Sequence, residues 1–263
     1  MGNTMSVKNK LQLLRLKEMD PGSLTLALMS DIRTLANDGL LEEKPIFNAL
    51  HVATFLHRNQ TRANRKNLPR TPYIEHPLRN ALRLLRWGCT TQDIIVAALL
   101  HDTVEDCVDD IILYYMGQDP APLDEQVKRD MAVAWMAEEF GAEVARLVLA
   151  VSNDIHPAEM TKDEKRAAYA LHIEKIIAND PGVFLVKFSD FVDNAVGLYH
   201  NNIAGKETMI AHLARKYYAV VSVFAAVYEG PVGLDLPVDA SGFREIGSQI
   251  RSAETRLKAL LPE

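Results

Sequence analysis

Apolar residues recur along most of this chain at intervals of three and four positions, the spacing that gathers them on one face of an α-helix. The pattern is plain in the stretch with Leu24, Leu26, Leu28, Ile32 and Leu35, and Gly39 follows where a helix C-terminus favours glycine. We expect further helices at 44–60, 75–87, 91–105, 124–139, 142–152, 162–178, 183–201, 207–228 and 240–260. The sequence shows no alternating β-branched strands, so the pattern predicts an all-α fold.

Clusters of Pro, Gly, Asn and Asp separate these helices, at 67–72, 117–122, 153–157, 179–182 and 229–237. None has the composition of a flexible linker, and the sequence contains no internal repeat. We therefore expect a helical bundle with short loops. Its main domain is predicted at 46–228, with a helical extension at 1–45 and a helical tail at 229–263 packed on the same domain.

Composition and charge narrow the classes of function. The chain has 263 residues, of which 48% are hydrophobic and 24% charged, as in soluble globular proteins. A net charge of −6 provides no overall basic field, so we expect neither a nucleic acid nor a membrane as partner. Cys89 and Cys107 form no CxxC pair, and we expect no signal peptide and no stretch of membrane-spanning length. These features predict a cytoplasmic protein.

The stretch LLHDTVEDC at 99–107 places four ionisable groups in an apolar, helix-like run. On one continuous helix, His101 and Glu105, like Asp102 and Asp106, would be four residues apart and share a broad face. A neighbouring His and Asp can hold a divalent cation while the other two carboxylates move a proton on water. An isolated His-Asp pair is nevertheless more often a solvated pair at a helix end.

Two further motifs favour a metal site. His76 lies in TPYIEHP at 71–77, and Asp190 lies in LVKFSDFVDN at 185–194. A shell of imidazole nitrogens and carboxylate oxygens suits Mn²⁺ or Fe²⁺ at least as well as Zn²⁺. In the same region we expect Tyr73 to be a packing residue and Arg58 and Arg62 to lie at the surface.

These motifs resemble the hydrolase domain of RelA/SpoT-type proteins, within the HD phosphohydrolase superfamily, and especially the small stand-alone alarmone hydrolases. The similarity spans roughly 46–228, in order. It is carried by RKNLPRTPYIEHP (65–77), AALLHDTVED (97–106), FGAEV (140–144), VSND (151–154), EKR (164–166) and LVKFSDFVDN (185–194).

The resemblance implies a role for each matching position. It implies metal ligands at His76, His101, Asp102 and Asp190, with Mn²⁺ as the usual cofactor and Fe²⁺, Zn²⁺ or another divalent ion as alternatives. It also implies a catalytic acidic pair, Glu105 and Asp106, that positions and activates the attacking water. Contacts to the nucleotide are implied for Arg65, Lys66, Lys162, Asn194 and Tyr217.

The activity implied by the family is hydrolysis of the 3′-diphosphate of guanosine tetra- or pentaphosphate to GDP or GTP and pyrophosphate. Two departures from the family pattern stand out: a longer insertion at 107–139, which is either a lid beside the metal or an ordinary helical insertion, and Val196 and Gly197 where a basic and a polar residue are usual. The residues after 230 are too few for the synthetase domain of bifunctional members, so we expect degradation only.

Two other functions remain open from the sequence. The same fold could act on another nucleotide, as an adenosine alarmone hydrolase or a phosphatase for the 2′-phosphate of NADPH. Alternatively, the chain could be an antitoxin of a toxic small alarmone synthetase, acting by binding or by catalysis. The expected partners are accordingly a nucleotide substrate and either a second copy of the chain or a cognate synthetase-type toxin.

Overall fold

The structure, a computed structural model, describes residues 14–62, 70–155, 157, 159–201 and 207–261. These residues form a bundle of α-helices, so the predicted all-α fold is confirmed. The division of the chain at residues 45 and 229 stays a prediction.

The helices in the first half of the chain are α1 Pro21–Asn37, α2 Glu43–Leu56, α3 Glu75–Arg86, α4 Gln92–Leu100, α5 Thr103–Asp106 and α6 Val108–Asp110. Those in the second half are α7 Glu125–Phe140, α8 Ala142–Val151, α9 Lys162–Ile177, α10 Pro181–Asn194, α11 Glu207–Tyr218, α12 Val221–Glu229, α13 Pro231–Leu234 and α14 Ala240–Lys258. Two 3₁₀ turns, Leu16–Glu18 and Val196–Asn201, flank α1 and α10, and a π-helical turn, Ile111–Tyr115, follows α6.

Several helices begin at residues whose side chains cap the free backbone amides of the first turn. Asp20 accepts a hydrogen bond from Ser23 N at 2.7 Å, and Pro21 occupies the first position of α1. At α9, Thr161 and Glu164 form a reciprocal capping box. Side-chain caps of this kind precede α1, α7, α9, α10 and α14.

A short antiparallel hairpin departs from the expectation that the chain has no strands. Its strands are β1, Thr61–Arg62, and β2, Thr71–Pro72, with Thr61 opposite Pro72 and Arg62 opposite Thr71. Each strand is two residues long, so neither can show the alternation by which strands are recognised in a sequence. The hairpin brings Arg62 and Tyr73 next to the start of α3.

Helix α4 is the centre of the bundle. Every residue from Ile94 to Leu100 is buried, and the helix packs against α2, α3, α8 and α10. Helix α10 is buried from Val183 to Asp193 and packs on α3, α4 and α8. The C-terminal end of α4, the start of α3 and the last turns of α10 therefore meet inside the protein.

The continuous helix predicted over 91–105 is wrong, because α4 ends at Leu100 and α5 begins at Thr103. The Thr103 hydroxyl donates to Leu100 O at 2.7 Å and takes a carbonyl that the helix would otherwise use. His101 and Asp102 form the turn between the two helices. The four ionisable groups of this stretch consequently do not share one helical face.

The insertion predicted at 107–139 is helical, and its main helix α7 packs against α8 and touches α5. The stretch Glu207–Glu229, covering α11 and α12, is 23 residues long and largely apolar. By length and composition it could cross a membrane, so the expectation that no stretch reaches that length is wrong. A single helix of this kind is weak evidence for a membrane, because core helices of soluble proteins pass the same test.

Candidate metal centre

Three buried side chains converge where α3, α4 and α10 meet. His76, His101 and Asp190 each offer one ligand atom, and these atoms lie within 4.8 Å of one another. The two Nε2 atoms are 3.2 Å apart, and Asp190 Oδ1 is 3.1 Å from His76 Nε2 and 3.7 Å from His101 Nε2. Two nitrogens and a carboxylate oxygen therefore point at the same small volume.

Asp102 adds a second carboxylate to this group. Its Oδ2 lies 3.1 Å from His101 Nε2 and 3.5 Å from His76 Nε2. The structure thus brings together all four residues predicted to bind a metal. Although Asp102 belongs to the turn after α4 rather than to a helix, its side chain reaches the predicted place.

Hydrogen bonds at the far side of each imidazole make the set suitable for a cation. His76 Nδ1 lies 2.8 Å from Asp193 Oδ2, and His101 Nδ1 lies 3.0 Å from Ala98 O. Each acceptor favours a proton on Nδ1, which leaves the Nε2 lone pair available to a metal. Two imidazole nitrogens and two carboxylates form a donor set that fits a divalent transition metal.

The charges of the set are strongly coupled. Burial by itself would raise the pKa of Asp102, but His101 and His76 outweigh it and hold this pKa well below its usual range. Burial would also raise the pKa of Asp190, but this pKa is held well below its usual range, mainly by Lys187, whose Nζ lies 3.3 Å from Asp190 Oδ2. Burial lowers the pKa of His101, yet Asp102 and Asp190 raise it to about 10, so a cation that binds here would take the place of the proton on Nε2. Both carboxylates are therefore ionised, as metal ligands must be.

Tyr73 is more than the packing residue expected from the sequence. Its hydroxyl donates to Asp102 Oδ2 at 2.5 Å, and its ring lies 5.8 Å from that of His76. Arg62 was expected at the surface, but it is half-buried and donates to Asn194 Oδ1. Arg58 is exposed as expected and pairs with Asp110.

The predicted acidic pair lies beside the centre, and its two members differ. Glu105 is half-buried, and its two carboxylate oxygens accept hydrogen bonds from the backbone N and the Nδ2 of Asn153, both at 2.9 Å. Asp106 is exposed, and desolvation within the acidic cluster, together with the charges of Asp102 and Glu105, raises its pKa to about 6. One carboxylate is fixed in place, while the other can exchange a proton near neutral pH.

The predicted nucleotide contacts lie at different distances from this centre. Asn194 donates to Asp190 Oδ1 at 2.5 Å and so belongs to it. Tyr217 is half-buried on α11, and its ring is 6.1 Å from Phe191 and 6.4 Å from Tyr169. Arg65 and Lys66 lie outside the described residues.

Lys162 lines a basic cleft of about 300 Å³, formed by Asn153, Lys162, Lys165, Arg166, Tyr169, His212 and Lys216. The cleft adjoins the metal centre through two residues. Asn153 also holds Glu105, and the Tyr169 ring centroid lies 6.0 Å from Nζ of Lys187, the partner of Asp190. Lys216 Nζ stands 4.1 Å over the same ring, a cation–π contact.

Sequence reasoning missed Asp193, Lys187 and Asn153, each of which contacts a predicted site residue. For two of them the sequence carries a signal. Both Lys187 and Asp193 lie three residues from Asp190, the spacing that places side chains on one face of a helix. For Asn153 the contact depends on how the loop after α8 folds back, and spacing gives no indication of it.

Comparisons with known proteins agree with this geometry. The family described as HD domain matches residues 49–222. The guanosine-3′,5′-bis(diphosphate) 3′-pyrophosphohydrolase MESH1 of Homo sapiens is 33% identical over 171 residues, which is 64% of this chain and 78% of that protein. The MESH1 protein of Mus musculus is 33% identical over 155 residues, covering 58% of this chain and 69% of that protein.

A further relative is much longer than this chain. The guanosine-3′,5′-bis(diphosphate) 3′-pyrophosphohydrolase of Aquifex aeolicus is 34% identical over 131 residues, 49% of this chain but only 15% of that protein. The matched part of this chain thus corresponds to a small section of the Aquifex protein and to most of the MESH1 proteins. The chain belongs to the HD-domain family, and its resemblance to the small stand-alone alarmone hydrolases of that family is confirmed.

Proposed function

We propose that this protein hydrolyses the 3′-diphosphate of guanosine tetra- or pentaphosphate, releasing pyrophosphate and GDP or GTP. The observation that carries the proposal is the convergence of His76, His101 and Asp190 on one small volume, with Asp102 Oδ2 3.1 Å from His101 Nε2. Relatives that carry the name of this activity are 33% identical to the chain over the aligned residues. The proposed cofactor is Mn²⁺, with Fe²⁺ or Zn²⁺ as alternatives, and the proposed location is the cytoplasm.

Each part of the centre has a task in this reaction. When bound, the cation supplies a Lewis acid that polarises a phosphoryl oxygen and lowers the pKa of a water. Asp106, with a pKa of about 6, is ionised at neutral pH and takes the proton from the attacking water. Glu105, held at both oxygens by Asn153, orients that water by accepting its other hydrogen bond.

The basic cleft is suited to the phosphates of the substrate. Lys162, Lys165, Arg166 and Lys216 bring four cationic side chains to its walls in a protein whose net charge is −6. Such a site offsets charge on the diphosphate groups. We propose that Lys162 contacts a phosphate and that Tyr217 and Asn194 lie near the nucleoside. Arg65 and Lys66 stay predictions from the sequence.

The test is a pyrophosphate-release assay with purified protein, Mn²⁺ and guanosine tetraphosphate. We expect turnover by the wild type, and loss of at least about a hundredfold in kcat for Asp102→Ala and for Glu105→Ala. Circular dichroism should show the folded helical content in both variants. Undiminished turnover in Asp102→Ala would contradict the assigned roles.

A substrate panel tests the identity of the nucleotide separately from the chemistry. It comprises guanosine tetra- and pentaphosphate, adenosine tetraphosphate with the same 3′-diphosphate, and NADPH, compared by kcat/KM. We expect the two guanosine compounds to have the highest kcat/KM. A higher kcat/KM for NADPH or for the adenosine compound would overturn the proposed substrate and leave the metal centre in place.

A further inference from the structure

Asp193 stands behind the metal centre rather than in it. It lies on α10 three residues after Asp190, is 1% exposed, and does not belong to the predicted ligand set. Its Oδ2 is 2.8 Å from His76 Nδ1, the ring nitrogen that faces away from the other ligands. The carboxylate is thus the partner of one specific imidazole.

Three cations surround this carboxylate. Arg79 binds both of its oxygens, with Nε 2.8 Å from Oδ1 and Nη2 3.0 Å from Oδ2. Arg83 Nη2 lies 3.2 Å from Oδ1, and Lys17 Nζ, from the segment before α1, lies 3.4 Å from Oδ2. N–H donors of Arg79 and Arg83 thus reach both oxygens of Asp193, and the side chain faces His76 Nδ1 as a hydrogen-bond acceptor.

The two histidines of the centre are oriented by different kinds of acceptor. His101 Nδ1 faces Ala98 O, a neutral carbonyl of its own helix. His76 Nδ1 faces a charged carboxylate fixed by two arginines. A carboxylate partner fixes the tautomer and also makes the other ring nitrogen a stronger donor to a metal.

We propose that Asp193 is the positioning residue of His76, keeping the proton on Nδ1, aiming Nε2 at the centre and so setting the affinity for the cation. The inference rests on the metal site of the proposed function. It does not involve contact between Asp193 and the substrate or the reacting atoms.

A purely structural role is the competing explanation, since Asp193 also neutralises Arg79. Glu75 provides a control, because it is a second buried carboxylate bound to the same guanidinium, with Oε2 3.1 Å from Arg79 Nη1. Asp193→Asn and Glu75→Gln each remove one negative charge from the partners of Arg79. Only the first changes the acceptor of His76 Nδ1.

The experiment measures the affinity of the two metal-free variants for Mn²⁺ by competition with a chromogenic chelator, alongside urea unfolding of each. We expect Asp193→Asn to bind Mn²⁺ about 10- to 100-fold more weakly than wild type, and Glu75→Gln to stay within about threefold. Equal losses in both variants would show that the cluster is only structural. Unchanged affinity in Asp193→Asn would overturn the proposal.

A measurement on the wild type covers the case in which Asp193→Asn fails to fold, since it leaves buried cations short of a partner. Nitrogen-15 NMR of the protein loaded with diamagnetic Zn²⁺ should show the His76 ring protonated at Nδ1 and bound through Nε2. The opposite tautomer would overturn the proposal. If the wild type binds no divalent cation, the proposed function and the proposed role of Asp193 fail together. If it binds the cation but does not hydrolyse guanosine tetraphosphate, only the proposed function fails.

Discussion

The hydroxyl of Tyr73 offers the smallest change that tests how the metal centre is held. It donates at 2.5 Å to Asp102 Oδ2, the oxygen that lies 3.1 Å from His101 Nε2. Tyr73→Phe removes this donor and keeps the ring, which packs 4.7 Å from the ring of His57. The fold should therefore be preserved while the orientation of Asp102 is loosened.

The expected size of the effect follows from the charge and the exposure of the acceptor. A hydrogen bond to an ionised group contributes about 1.5–3 kcal/mol, or roughly 10- to 150-fold in an equilibrium constant. The side chain of Asp102 keeps 19% of its surface exposed, so water can replace part of the lost bond. We therefore expect the lower end, about a tenfold weaker affinity for Mn²⁺.

Metal titration with a competing chelator measures this change, and kcat at saturating Mn²⁺ should stay near the wild-type value. Tyr228→Phe is the matched control, because its hydroxyl donates to Phe243 O at 3.1 Å in another part of the bundle. Unchanged metal affinity in Tyr73→Phe would refute the reasoning. A large fall in kcat at saturating metal would instead place Tyr73 at the substrate.

Three further predictions concern the proton, the N-terminal segment and the cleft. Desolvation and the charges of Asp102 and Glu105 raise the pKa of Asp106 to about 6, so kcat/KM should fall about tenfold per pH unit below pH 6. In Asp106→Asn the rate should be about a hundredfold lower, and this fall at low pH should be absent. A flat wild-type profile from pH 5 to 7 would contradict the role of Asp106 as the base. Burial lowers the pKa of Lys17 from 10.5 to about 7. Between pH 7 and 10.5 the Lys17 amine is therefore protonated in the unfolded chain but not in the folded one. The free energy of unfolding should accordingly rise with pH over this range, by up to about 1.4 kcal/mol per pH unit. Urea unfolding at several pH values should show this rise in the wild type but not in Lys17→Met. The rise in stability should also be absent in Gly197→Ala, because the added Cβ would lie 2.5 Å from Lys17 Cε and displace the Lys17 side chain. An equal rise in the wild type and both variants would exclude Lys17 as the cause. Lys162→Gln should raise KM for guanosine tetraphosphate severalfold with little change in kcat, and the effect should shrink at high salt; an unchanged KM at low salt would remove Lys162 from the substrate contacts.

Helical periodicity predicted most of this architecture because the buried faces of α1, α2 and α8 are apolar. It failed between α4 and α5, where Leu100 O accepts from the Thr103 hydroxyl and Ala98 O faces His101 Nδ1, with no Pro or Gly at the break. A local side-chain bond of this kind leaves no mark on the spacing of apolar residues. Glu105 and Asp106 therefore lie on α5 rather than on the helix that ends at Leu100, although both are still beside the metal centre.

The sequence indicated the four predicted ligands because each lies in a contiguous motif, and helical spacing also indicates Lys187 and Asp193, whereas the basic side chains around Asp193 could not be predicted. Arg79 and Arg83 lie in the pattern of α3 where a solvent-facing side would be read, yet both are buried around Asp193. Lys17 joins the same carboxylate from 176 positions away. Such contacts arise from the tertiary fold, and no local pattern encodes them.

The residues around the candidate metal centre lie partly inside and partly outside the stretch that matches the HD family. Similarity to the HD family begins at residue 49, so every proposed ligand lies inside the shared part of the chain. Lys17, and the α1 residues Leu24 and Leu28 that are buried in the bundle, lie outside it. A protein shortened to begin at residue 46 would retain the whole inherited motif and lose part of what stands behind His76. In this chain, the contacts around the predicted ligands therefore extend beyond the part that matches the HD family.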